Sequence, residues 1–117
     1  MANYWKLYKK AKAFYFGLGK IKCPALDNQE IIFDWRGFRH FLHKKGGRRS
    51  IADQIRRFKL IVDIRSYVEH AVVRRCEPSR NGVKLWSLVY IAQSESVVLV
   101  VIEASNKYHF ISIMDKQ

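Results

Sequence analysis

Near the start of the chain, apolar side chains recur every three or four residues at Tyr4, Leu7, Tyr8, Ala11, Phe14, Tyr15 and Leu18. That spacing aligns them on one face of a helix over residues 3–18, with Lys6, Lys9, Lys10 and Lys12 largely off the stripe. Gly17 and Gly19 mark its end. So broad and aromatic a stripe has to be covered. Packing on the rest of the domain is the plain expectation, and a partner or membrane surface is the alternative. A loop through Cys23-Pro24 and Asp27-Asn28 then leads to a short strand over residues 30–33.

A second helix is expected from Trp35 to Lys44, with Phe38, Phe41 and Leu42 turned to the core and Gly46-Gly47 ending it. Ser50 suits the N-cap of a third helix, with Asp53 in its first turn, where the dipole favours a negative charge. Ile51, Ile55, Phe58 and Val62 form its apolar stripe, and it is expected to run to about His70. The period then changes. Val72-Val73 opens a strand, and Asn81-Gly82 is the strongest hairpin signal in the chain. Residues 83–93 read as a strand, with a polar break at Ser94-Glu95-Ser96. The run Val97 to Ile102 suits a central strand covered on both faces, and Ala104-Ser105-Asn106 turns into a last strand, Tyr108 to Met114. The expected architecture is α+β, with N-terminal helices packed on one face of a C-terminal antiparallel sheet of about four strands. Nothing divides residues 1–117, which read as one domain.

Composition changes this picture in one respect. The 117 residues are 49% hydrophobic and 27% charged, an ordinary globular mixture, but 22 Lys and Arg face only 10 Asp and Glu, a formal charge of +12. An excess of that size points to an anionic partner, nucleic acid first and an anionic membrane surface second. Cys23 and Cys76 stand apart without a metal-ligand or disulfide-framework spacing, so both read as reduced thiols in a cytoplasmic protein. Lysines interrupt any secretory signal, and no run approaches the roughly 20 apolar residues of a membrane span.

The charge is concentrated. Between Trp35 and Phe58 lie Arg36, Arg39, Lys44, Lys45, Arg48, Arg49, Arg56 and Arg57, opposed only by Asp53. On the second helix Arg36, Arg39, His40 and His43 are three and four residues apart and share a face. Guanidinium groups grip phosphate in a bidentate way that an ammonium cannot. Imidazole exchanges protons near neutrality, and surrounding arginines favour its neutral, basic form. Metal-free RNA cleavage needs a base for the 2′-OH, cations for the phosphorane and an acid for the 5′ oxygen, and this segment holds such groups. The plainer reading of the same residues is a solvated basic surface. A metal is not expected: His40-x-x-His43 offers two ligands, but no carboxylate pair stands nearby and the surroundings repel a cation. No Gly-x-Ser-x-Gly elbow or Gly-rich nucleotide loop implies a triad or a cofactor. In the last strand, alternation places Tyr108, Phe110 and Ser112 on one face and His109, Ile111 and Ile113 on the other. Ser112 beside Tyr108 would reach a phosphate held by the helices, whereas His109 reads as a hydrogen-bonded sheet histidine.

The run Ile31-Ile32-Phe33-Asp34-Trp35-Arg36-Gly37-Phe38-Arg39-His40-Phe41-Leu42, with Arg48-Arg49, Gln54-Ile55-Arg56-Arg57-Phe58 and Tyr108-His109-Phe110-Ile111-Ser112, resembles the phage-associated nuclease branch of the barnase–EndoU–colicin–RelE superfamily. The resemblance covers residues 30–115 and leaves residues 1–20 as a helical N-terminal extension. It implies a metal-independent ribonuclease with a base or acid at His40, phosphate-stabilising Arg48 or Arg49 and Arg56, and a polar contact from Ser112. His43 has no assured counterpart in the family. Such domains often act as toxins, which implies an acidic antitoxin or immunity protein as partner. The expectation is therefore a toxin-like ribonuclease with His40, His43, Arg49, Arg56 and Ser112 as catalytic groups. Arg36, Arg39, Lys44, Lys45, Arg48, Arg57 and Tyr108 would bind RNA. Two other readings stand beside it: a non-catalytic nucleic-acid-binding module, whose affinity would fall steeply with salt, and an interaction protein using the aromatic first helix.

Overall fold

A computed structural model describes residues 2–93 and 95–115. Helix α1 (Ala2–Phe16) leads into strands β1 (Lys20–Cys23) and β2 (Gln29–Ile32), followed by helix α2 (Trp35–Leu42). A small hairpin, β3 (His43–Lys44) and β4 (Gly47–Arg48), precedes helices α3 (Ile51–Ile61) and α4 (Ile64–His70). Strands β5 (Val72–Pro78), β6 (Lys84–Ala92), β7 (Glu95–Ala104) and β8 (Lys107–Asp115) complete the chain. The class is α+β with helices ahead of the main strands, as the periodicities indicate.

The sheet differs from the expected four antiparallel strands. Among the described residues it has six, ordered β1-β2-β8-β7-β6-β5, and β2 runs parallel to β8. The segment read as a loop is strand β1, in which Ile21 and Cys23 point inward while Lys20 and Lys22 point out. Four residues of alternation are too few to declare a strand alone; β1 is held by β2, with Ile21 opposite Ile31. Asp27 and Asn28 supply left-handed backbone (φ 55° and 62°) for the turn between them. The break expected at Ser94-Glu95-Ser96 is shorter than three residues: Glu95 and Ser96 already pair with Ala92 and Ile91, and Ser94 lies outside the described residues.

The helices cover one face of the sheet. Tyr15 and Phe41 meet Phe110 of β8, Tyr67 meets Tyr90 of β6, and Cys23 lies under Val68. Tyr4, Ala11 and Tyr15 of α1 are buried in this core, so the first helix is built into the domain rather than appended to it. Each large apolar side chain so buried contributes about 1.5–3 kcal/mol. The Tyr15 hydroxyl donates to the Asp34 carbonyl at 2.7 Å, fixing α1 to the start of α2. Gly37 lets α2 lie directly on β8, because a Cβ there would stand 2.6 Å from the Phe110 carbonyl oxygen. Strand β7 is interior, but its two faces are unequal: Val97, Leu99 and Val101 are buried under the helices, whereas on the other face Val98 is buried but Val100 and Ile102 are only half-buried.

Three further expectations are corrected. The buried face of α3 is Gln54, Arg57, Phe58 and Ile61, while Ile51 and Val62 are exposed. Two polar residues occupy the inner face, so an apolar stripe drawn through the sequence is rotated from the true one. The helix also stops at Ile61. A straight helix from Ser50 to His70 would be about 30 Å long, and the break lets Ile64, Tyr67 and Val68 turn back under the sheet as α4. In β8 the register shifts between Val100 and Val101, which pair with Ser112 and Phe110 and leave Ile111 as a bulge. Phe110 and Ile113 consequently both enter the core, and strict alternation fails there. No helix among the described residues is long and apolar enough to cross a membrane.

Candidate nucleic-acid interface

Asp34 caps α2, its Oδ1 accepting from the Arg36 amide at 3.2 Å. With Gly37, Phe38, Phe41 and Leu42 against the core, the 3,4 spacing forces Arg36, Arg39 and His40 to the other side. The helix ends two residues earlier than expected. His43 turns extended (φ −128°, ψ 152°), and His43 and Lys44 pair with Arg48 and Gly47 across the turn Lys45-Gly46. Gly46, at φ +97°, permits that turn. The hairpin folds His43 and Lys44 back beside the helix. Trp35, Arg36, Arg39, His40, His43 and Lys44 together line an open concavity of about 420 Å³.

A buried polar network stands behind it. Arg49 Nε donates to the His40 carbonyl at 2.7 Å, and its Nη1 lies 3.2 Å from Asp53 Oδ2. Arg57 Nε lies 3.2 Å from Asp53 Oδ1, while its Nη1 donates to Ser112 Oγ at 3.2 Å and to the Ile113 carbonyl at 2.6 Å. Tyr4 donates to Gln54, and Gln54 Nε2 donates to the Arg49 carbonyl at 2.8 Å. The network ties α1, α2, the link between the hairpin and α3, α3 itself and β8 together. Burial would raise the Asp53 carboxyl, but Arg57 and Arg49 outweigh it and hold that group below the usual range. His40 is pushed below 6.5, first by burial and then by Arg49, Arg57, Arg39 and Arg36. Both effects favour its neutral imidazole form.

The structure thus gathers His40, Arg49 and Ser112 into one neighbourhood and puts Arg57, not Arg56, beside them. Arg57 is 9% exposed and bonded internally, which takes it out of the surface cations expected to meet RNA directly. Ser112, expected to contact phosphate, instead accepts from Arg57. Arg56 is exposed and lies outside the concavity, with Nη1 3.9 Å from Asp115 Oδ1. Arg48 turns toward α1, 3.5 Å from the Tyr4 hydroxyl, in a groove with Trp5 and Ile51. Lys45 is exposed at the hairpin turn. Tyr108 lies at the other end of β8 against Trp86 and lines a separate concavity with Lys20, Lys22 and Lys107. Arg48, Arg56 and Tyr108 do not join the cluster around His40.

His109 is hydrogen-bonded, with Nδ1 2.9 Å from Asp34 Oδ2. Asp34, Trp35, Asp53 as a bridge, and Gln54 were not identified as site groups from sequence. Only Asp53 carried a readable signal: it stands four residues from both Arg49 and Arg57, the spacing of helical ion pairs. Cys23 is buried and Cys76 exposed, both as free thiols. Among the described residues no three His, Cys, Asp or Glu side chains are placed to hold a metal ion. In comparisons with protein-family models, curated proteins and solved structures, the chain matches none.

Proposed function

We propose that this protein is a metal-independent, toxin-like ribonuclease that holds RNA in the α2 concavity. The observation that carries this reading is the sharing of one concavity by His40 and His43 with Arg36, Arg39 and Lys44, backed by the Arg49–Asp53–Arg57 cluster. His40, kept neutral by burial and its arginine neighbours, takes the proton from a ribose 2′-OH. The 2′ oxygen attacks phosphorus, the bond to the 5′ oxygen breaks, and that oxygen takes a proton from His43. The products are a 2′,3′-cyclic phosphate and a free 5′-OH. Arg36 and Arg39 stabilise the charge that develops on the phosphorane, the role the family resemblance placed at Arg48 or Arg49 and at Arg56. Arg49 and Arg57 act as positioning residues, the first through the His40 carbonyl and the second through Ser112. An acidic antitoxin or immunity protein would cover the same exposed cations.

A second reading is a non-catalytic nucleic-acid-binding module. It is favoured by the internal engagement of Arg49, Arg57 and Ser112, which leaves only exposed cations for phosphate. Incubation of the purified protein and a His40→Ala variant with total RNA in EDTA decides between them. Cleavage by the parent alone supports the ribonuclease; intact RNA with salt-sensitive binding supports the module. Absence of binding at low salt removes both.

A further inference from the structure

Trp35 is 51% exposed at the rim of the basic concavity, and its indole stacks on Phe16 of α1, itself 41% exposed. The ring centroids are 5.8 Å apart and the planes differ by 15°. Phe38 backs both rings, at 5.4 Å from Phe16 and 5.9 Å from Trp35. The indole is therefore packed against aromatic groups on two different helices and still half exposed. Packing requires neither such exposure nor such support. Its surroundings are cationic: Arg36 and Arg39 follow it on α2, and the Lys12 ammonium sits 5.8 Å from the indole centroid.

We infer that Trp35 is a base-stacking platform and that the occupant of this concavity is single-stranded nucleic acid, one base lying on the indole while the adjoining phosphates meet Arg36, Arg39 and Lys44. The inference rests on the nucleic-acid reading of the α2 concavity and adds to it the strandedness of the ligand. A duplex keeps its base faces buried in its own stack and offers the indole only an edge, whereas an unpaired base offers a whole π-face. Lys12 does not block the platform. An exposed cation–π contact is weaker than base–aromatic stacking, and the flexible ammonium can move to a phosphate.

The experiment is binding of a labelled 2′-O-methyl RNA strand, which resists 2′-OH cleavage, and of its blunt duplex, followed by fluorescence anisotropy. Parent, Trp35→Ala, Trp35→Phe and Arg39→Ala proteins are compared. Trp35→Ala is expected to weaken single-strand binding about 5- to 150-fold, the range that loss of one stacked base implies, and to leave duplex binding within about twofold. Trp35→Phe should restore most of the loss, and Arg39→Ala should weaken both ligands. Equal single-strand affinity of parent and Trp35→Ala overturns the platform while salt-sensitive binding preserves the broader reading. Failure of the parent to bind either ligand overturns both. Because Trp35 is half out of the fold, unchanged thermal melting of Trp35→Ala is the expected control, and Trp35→Phe covers the case in which it melts early.

Discussion

Arg36 and Arg39 on α2 differ from Arg49 and Arg57 around α3 in everything except the side chain. The first pair is exposed on the rim of a concavity, and among the described residues neither guanidinium has a carboxylate within 4 Å. The second pair is about one-tenth exposed and shares Asp53. Both pairs lie in the same basic stretch, and a count of charges treats them alike. Their partners separate them. A guanidinium whose donors already reach a carboxylate, a hydroxyl and backbone carbonyls is spent on the fold, whereas one facing only solvent remains available to phosphate. The lesson for a basic protein is to ask what each cation already holds before assigning it a ligand.

If this division is right, variants on the two sides should fail differently. The largest effect is expected at His40, which touches both sides. His40→Ala should lower single-turnover RNA cleavage in EDTA by about 10²–10⁴, the usual worth of positioned proton transfer, with little change in melting. Next is Asp53→Ala, which leaves Arg49 and Arg57 facing each other without a counter-charge. Urea unfolding should show a loss of about 3 kcal/mol, against no more than about 0.5 kcal/mol for Arg36→Ala. Equal losses in the two variants would erase the distinction.

A smaller effect is the pH profile. On the acid side cleavage should fall as His40 protonates, with a midpoint below the ordinary imidazole value that moves upward in Arg39→Ala because one lowering charge is gone. Stability carries the same signature. Below 6.5 the unfolded imidazole binds a proton that the folded one still refuses, so this contribution declines as pH falls and levels off once folded His40 is protonated as well. The smallest effect concerns salt. Arg39→Ala should reduce the slope of log affinity against log salt by about 1, and Arg56→Ala, outside the concavity, by much less.

Much of the fold was legible in the sequence. The α1 stripe, the Ser50 cap, whose Oγ accepts from the Asp53 amide at 3.1 Å, and the strands flanking Asn81-Gly82 all follow from local pattern. Asn81 and Gly82 take the left-handed backbone (φ 61° and 74°) that this dipeptide favours. What stayed hidden depends on distant partners. Strand β1 exists because β2 pairs with it, and the true inner face of α3 is marked by Gln54 and Arg57, which a polarity pattern assigns to solvent. The bulge at Ile111 reorients Ser112 without any glycine or proline to announce it. For the site, the helical spacing of Arg36, Arg39 and His40 was readable because one element carries them. The exchange of Arg56 for Arg57 was not: adjacent residues on a helix differ by about 100° in direction, and only β8 shows which of them faces inward.

The parallel pairing of β2 with β8 has a consequence for biosynthesis. Asp34 meets His109 across 75 residues of chain, and Arg57 meets Ser112 across 55. A nascent polypeptide still waiting for residues 107–115 lacks the strand that seats α2 and the acceptors that anchor Arg57, so its histidines and arginines have no scaffold to organise them. Such long-range closure also slows folding. A ribosome making this protein therefore holds a chain with an open core until residues 107–115 have been added.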